Sequence, residues 1–260
     1  MERIQAAFDD ARTTGAGALV IYVCAGDPSL EATREIVPAV ARAGADIVEL
    51  GIPYTDPIAD GPTIQAAAKR SLQAGATVAG VLQCAAQIRD QSQVPLVIMS
   101  SVSPLFRFGL ERFARQAAQA GVDGVLLSDL PSHESDEWCA AAATNGVATV
   151  HLVAPSSSDQ RLRAAADRTT GFIYAVSRAG VTGARDDLPE GLPRFVGRIR
   201  DITDKPVAVG FGISTAQQVG SVLQIADGAV VGSAVVQAIV DAPDDPAVAA
   251  EKFVRGLVTP

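Results

Sequence analysis

The segment Ala43-Gly44-Ala45-Asp46-Ile47-Val48-Glu49-Leu50-Gly51-Ile52-Pro53 closes one element and opens another. A glycine turn ends a helical run. Five mostly apolar residues follow, and Gly51-Ile52-Pro53 stops them. The same helix end, turn and strand return at Ala120-Gly121-Val122-Asp123-Gly124-Val125. They return less perfectly at Ala226-Asp227-Gly228-Ala229-Val230. This recurring unit sets the reading of the whole chain.

Outward from it, eight short segments rich in Val, Ile and Leu read as strands: 18–24, 46–50, 95–99, 123–127, 147–153, 172–176, 206–209 and 228–231. They are apolar throughout, as parallel strands covered on both faces should be. Helical patterns fill the intervals at 30–43, 63–74, 78–90, 110–120, 134–145, 159–168, 192–202 and 215–225. Two more follow the last strand, at 235–239 and 247–257. Residues 2–14 form an amphipathic helix ahead of the first strand, with Ile4, Phe8 and Ala11 on one side. The fold class is α/β, and count and alternation favour a single (β/α)8 TIM barrel with an N-terminal extra helix over an open sheet. No linker or composition break interrupts residues 1–260, so one domain is expected.

Bulk properties narrow the function. A net charge of −8 argues against a nucleic-acid partner. Cys24, Cys84 and Cys139 lack metal-like spacing, and an odd, sparse set fits reduced thiols in the cytoplasm. No apolar run approaches the roughly 20 residues of a membrane span. Met1-Glu2-Arg3-Ile4-Gln5 carries no signal-peptide core.

In such a barrel the chemistry lies at the carboxyl ends of the strands. The candidates there are Tyr22, Asp27, Glu49, Asp60, Asp129, Tyr174, Arg178, Gly210 to Gly212, Gly232 and Ser233. Asp27, in Gly26-Asp27-Pro28, either caps a helix or serves the site. Asp129 before Leu130-Pro131 has the same two readings, and Asp56 reads as a loop brace. Glu49 has no ready structural role among Ile47, Val48 and Leu50. Poor solvation disfavours its charged form and raises its pKa, which suits a group that takes and gives a proton near neutral pH. Asp56 and Asp60 sit on a loop stiffened by Pro53, Pro57 and Pro62.

A second signal lies after strands seven and eight. Gly210-Phe211-Gly212 and Gly232-Ser233 either make tight turns or let backbone N–H groups approach a ligand. A helix starting just after Ser233 offers an amino end for an anion, and phosphate at this place is a recurrent barrel feature. Gly180 and Gly183, in the loop after strand six, are placed to close over it. The only lysines, Lys69, Lys205 and Lys252, lie away from strand carboxyl ends, against a Schiff-base aldolase. The only histidines, His133 and His151, are apart and read as structural or surface residues, so no metal is indicated. No dinucleotide turn opens the chain. Carboxylate proton transfer on a phosphorylated substrate remains, without a cofactor in this chain.

At these residues the chain resembles the tryptophan synthase α subunit family over nearly its full length. The resemblance is carried by Gly26-Asp27-Pro28, by Glu49 to Pro53 with Asp56 to Gln65, by Ser177 to Gly183, by Gly210 to Ser214 and by Gly232-Ser233-Ala234. It implies retro-aldol cleavage of indole-3-glycerol phosphate to indole and glyceraldehyde 3-phosphate. It also implies a partner β subunit, in an α2β2 heterotetramer, that uses pyridoxal phosphate to join indole to serine. Carried over, Glu49 moves the protons and Asp60 accepts the indole N–H. Tyr22 (more often Phe in relatives) and Tyr174 line the indole pocket. Gly183, Gly212, Gly232 and Ser233 cradle phosphate, and Thr182 reaches Asp60 when its loop closes. One stretch departs: the family usually carries Tyr and Asn before the proline after strand three, where this chain has Ser100-Ser101-Val102-Ser103-Pro104. It reads as a loop near the pocket and the partner side. A lyase that releases free indole without a partner, and a non-catalytic activator of the β subunit, are the alternatives.

Overall fold

The computed structural model describes residues 2–58, 60–177, 189–210 and 212–258. In chain order the elements are α1 (Glu2–Thr14), β1 (Ala18–Cys24), α2 (Leu30–Arg42), β2 (Ile47–Gly51), α3 (Pro62–Gln73), α4 (Val78–Arg89), β3 (Leu96–Ser100), α5 (Val102–Phe108), α6 (Leu110–Gln119), β4 (Gly124–Leu127), α7 (Asp136–Asn145), β5 (Ala148–Val153), α8 (Asp159–Arg168), β6 (Ile173–Val176), α9 (Leu192–Arg200), β7 (Val207–Gly210), α10 (Ala216–Leu223), β8 (Gly228–Val231), α11 (Ser233–Val240) and α12 (Pro246–Val258). A 3₁₀ turn at Ser132–Glu134 precedes α7.

The strands close in sequence order into one parallel barrel, with β1 paired to both β2 and β8. Side chains alternate across it. Leu19, Ile21, Val48, Leu50 and Ile98 face the helical ring, in a cluster with Ile36, Val81, Phe113, Val196 and Val254. Val20, Ile47, Val97, Leu126, Val150, Phe172, Ala208 and Val230 fill the interior. Because Ile47 points inward, Glu49 two residues on does so too.

Helix α1 supplies the barrel's floor. Its Ile4, Phe8 and Ala11 join the interior cluster, and the Phe8 ring lies 5.5 Å from Phe172. Gly124, at the start of β4, admits it: a Cβ there would come within 2.9 Å of Ile4 Cδ1. The recurring aspartates lie at this same end. Asp46, Asp123 and Asp227 each accept a backbone N–H from the first or second residue of a neighbouring strand, from Leu19 (2.7 Å), Leu96 (2.9 Å) and Val207 (2.9 Å).

Two local readings are corrected. The stretch after β3 is not a loop throughout: 102–108 is helix α5. Ser101 caps it through the Ser103 N–H, and Pro104 falls in the first turn, where a missing N–H costs little. Seven residues are too few to display a helical period. Helix α11 begins at Ser233 itself, two residues before the expected 235, which brings its first turn to the end of β8.

Candidate active site

Five strands and the segments after β2, β7 and β8 build a single cavity at the carboxyl end of the barrel. It is lined by Tyr22 (β1), Glu49 (β2), Met99 (β3), Tyr174 (β6), Val230 (β8), Asp60 and Ile64 from the β2–α3 connection and α3, and Gly212, Ile213, Gly232, Ser233 and Ala234 after β7 and β8. Register explains the meeting: Tyr22 pairs with Glu49 and Glu49 with Val97, so these side chains share a layer above the α1 floor.

Glu49 is fully buried, and among the described residues neither Oε1 nor Oε2 has a hydrogen-bond partner. Desolvation by burial pushes its carboxyl up to about 8. An orphaned buried acid is costly, and its carboxyl enters a cavity rather than a packed core. Asp60 is raised above the ordinary carboxylate range, first by burial, against the lowering effect of a Tyr54 hydroxyl 3.2 Å from Oδ2. Burial holds both Tyr22 and Tyr174 well above the usual phenol value. Their rings need room: a methyl group at Gly51 would collide with the Tyr22 hydroxyl, and one at Gly210 with that of Tyr174.

Opposite the carboxyls, Gly212 takes a φ of +88°, a conformation that favours glycine. Gly232 stands at the N-cap of α11. The first backbone N–H groups of a helix carry the positive end of its dipole and suit an oxyanion. One cavity therefore offers a neutral acid, a second carboxyl and a helix amino end.

The other candidates divide. Asp27 neither caps a helix nor lines the cavity. Ser29 caps α2, while Asp27 takes a two-pronged ion pair from Arg70 at 2.8 and 2.7 Å. Asp129 braces the amino end of α5, accepting from Ser101 Oγ and from the Val102 N–H. Asp56 accepts from Thr55 at the surface. His151 is buried between Thr169 and Ser135, at 3.2 and 3.1 Å, and burial lowers it to about 4. Arg178, Gly180, Thr182, Gly183 and Phe211 lie outside the described residues. Sequence reading missed five lining residues: Met99 and Val230, and Ile64, Ile213 and Ala234, which lie inside the stretches that carry the resemblance. Inward alternation along β3 and β8 would have found Met99 and Val230.

Against known proteins, the model of the family described as tryptophan synthase alpha chain matches residues 8–256. The chain belongs to the tryptophan synthase alpha chain family. A tryptophan synthase alpha chain of Geobacter sulfurreducens is 46% identical over 237 residues, covering 91% of this chain and 90% of that one. A tryptophan synthase structure from Mycobacterium tuberculosis superposes with a TM-score of 0.92 at 36% identity, covering 98% and 96% of the two chains. An α2β2 tryptophan synthase complex from Pyrococcus furiosus gives a TM-score of 0.88 at 39% identity, covering 93% and 98%. Among the described residues of this family member, no helix is long and apolar enough to cross a membrane, and no three His, Cys, Asp or Glu side chains are grouped to hold a metal ion.

Proposed function

We propose that the chain cleaves indole-3-glycerol phosphate to indole and glyceraldehyde 3-phosphate as the α subunit of a tryptophan synthase. The observation that carries this reading is the orphaned, neutral Glu49 carboxyl beside Asp60 in one cavity. Protonated Glu49 gives its proton to indole C3. The cation so formed spreads to the ring nitrogen, whose N–H donates to the Asp60 carboxylate. A fixed charge facing developing charge is commonly the largest catalytic contribution. Glu49, now anionic, takes the proton from the hydroxyl on the carbon attached to C3. The carbon–carbon bond breaks, its electron pair returns to the indole, and the aldehyde leaves with Glu49 again protonated.

Gly212, Gly232 and Ser233 hold the phosphate at the α11 amino end, with Gly183 completing the cradle. Tyr22 and Tyr174 flank the indole, and the family resemblance assigns Thr182 to Asp60 as a partner. Side chains carry every proton, and pyridoxal phosphate belongs to the β subunit. Ile58, 85% exposed, and Phe106, 65% exposed, lie on connections after β2 and β3. They suit burial by that partner in an α2β2 assembly. The 260 residues act as one unit in the cytoplasm.

The test is indole release from indole-3-glycerol phosphate by the purified chain, with β subunit titrated in. A basal rate that rises steeply with the partner is expected. No cleavage in either condition would reject the lyase, and a rate indifferent to the partner would reject the assembly.

A further inference from the structure

Tyr54 has a place in the site that the cavity lining does not reveal. It sits in the β2–α3 connection, six residues before Asp60, and its hydroxyl donates to Asp60 Oδ2 at 3.2 Å. Among the described residues this is the only side-chain donor to that carboxylate. The loop's other tie, from Gln65 Nε2 at 2.8 Å, goes to the Asp60 backbone carbonyl. Across the mouth, the Tyr54 hydroxyl faces Ser128 and Asp129 at the end of β4. Ser128 is fixed to the Ser100 carbonyl through its backbone N–H at 2.9 Å. Asp129 in turn anchors the first turn of α5. Tyr54 thus stands between the connection that carries Asp60 and a rigid corner built by two other strands.

We propose that Tyr54 is a positioning residue: its hydroxyl fixes the Asp60 carboxylate toward the indole nitrogen and ties the Asp60 loop to the β4–α5 corner. The inference rests on the role given above to Asp60. A carboxylate on a surface-reaching loop has two rotatable side-chain bonds, and one directed donor selects among its orientations. The donor also stabilises the anion, the form that must meet the cationic indole. Ring burial keeps the phenol neutral at about 12, so it remains a donor throughout the working pH range.

The remaining groups facing Asp60 do not confuse the readout. Tyr22 and Cys24 of β1 and Tyr174 of β6 all titrate far above neutrality, Cys24 at about 12. Glu49, in the same cavity, titrates at about 8. Below neutral pH, Asp60 is the group of this set that changes charge.

The experiment compares Tyr54→Phe, Asp60→Asn and the double variant with the parent, each saturated with β subunit, across pH 5 to 9. Removing a donor worth about 1 kcal/mol raises the Asp60 pKa, so the acid limb of kcat/KM moves up by about 0.5–1 pH unit. At pH 7.5 kcat falls about tenfold while KM changes less than threefold. In the Asp60→Asn background, Tyr54→Phe has no further effect. A damaged fold would lower amplitude at all pH values without moving the limb. If Asp60→Asn cleaves substrate at nearly the parent rate, the reading of the site itself is wrong. If Asp60→Asn is crippled but Tyr54→Phe keeps the parent limb and kcat, the site stands and Tyr54 is only packing.

Discussion

Asp123 and Glu49 are both enclosed carboxyls of one barrel, at opposite ends. Asp123, before β4, is 4% exposed, and its oxygens receive Arg3 at 2.8 Å, Arg89 at 2.7 Å and the Leu96 N–H at 2.9 Å. Glu49, in β2, is 0% exposed and receives no hydrogen bond from the described residues. Burial of a charge is tolerated only where partners replace the lost water. At the floor the fold supplies them, and the carboxylate becomes a clamp. At the mouth the fold withholds them, and the acid keeps its proton until something else in the cavity takes it. The same residue chemistry thus serves stability in one place and, in the function proposed above, reactivity in the other.

Glu49→Gln breaks the comparison most sharply. One positioned acid–base group contributes about 10²–10⁴-fold and the proposed cycle uses this one twice, so cleavage should fall by at least about 10⁴-fold in single-turnover assays. A loss under a hundredfold would remove Glu49 from the chemistry. The same variant sharpens the stability side. Glu49 is protonated in the folded chain up to about 8, whereas the unfolded chain releases that proton near 4.5. The folded state then binds the extra proton, so this group erodes stability as pH rises between those values, by roughly 1.4 kcal/mol per unit. Gln has no such slope. Urea denaturation at pH 5, 6.5 and 8 should show the variant gaining on the parent at each step, and parallel curves would contradict a buried neutral acid. Since the first proton transfer needs the protonated form, parent kcat/KM should decline as pH passes about 8.

Asp123→Asn attacks the other member. Arg89 loses its buried partner, and stability should drop by about 3 kcal/mol, with little added by the half-exposed Arg3. Activity per folded molecule should stay within twofold of the parent. An equal loss of activity would mean the two ends are coupled. The mildest test is Gly210→Ala, which drives the Tyr174 hydroxyl from its seat. Misplacing a pocket wall should lower kcat/KM about tenfold, with only about 1 kcal/mol of stability lost to crowding. An unchanged KM would argue that Tyr174 does not touch substrate.

Much of this contrast was legible in the residues. Eight short apolar segments alternating with helical patterns, and the repeated helix end, turn and strand, revealed the barrel, and Glu49 stood out because its apolar neighbours left it no structural task. What stayed hidden depends on long-range partners. Asp27 meets Arg70 from 43 positions away, and Asp123 meets Arg3 from 120. Neither pairing has a local signature. Helix α5 was missed because a Ser-capped, Pro-bearing turn of seven residues shows no period. Tyr54 was passed over because an aromatic residue between prolines looks like packing until its hydroxyl is seen on Asp60.

Ile4 and Phe8 of the first helix seal the lower end of an interior already filled by strand side chains, so the cavity at the mouth is a blind-ended cup. A molecule too bulky to slip between packed side chains departs over the rim by which its precursor arrived. Any second protein that is to capture it must therefore sit on that rim, so a segment remote from the reaction dictates the direction of traffic.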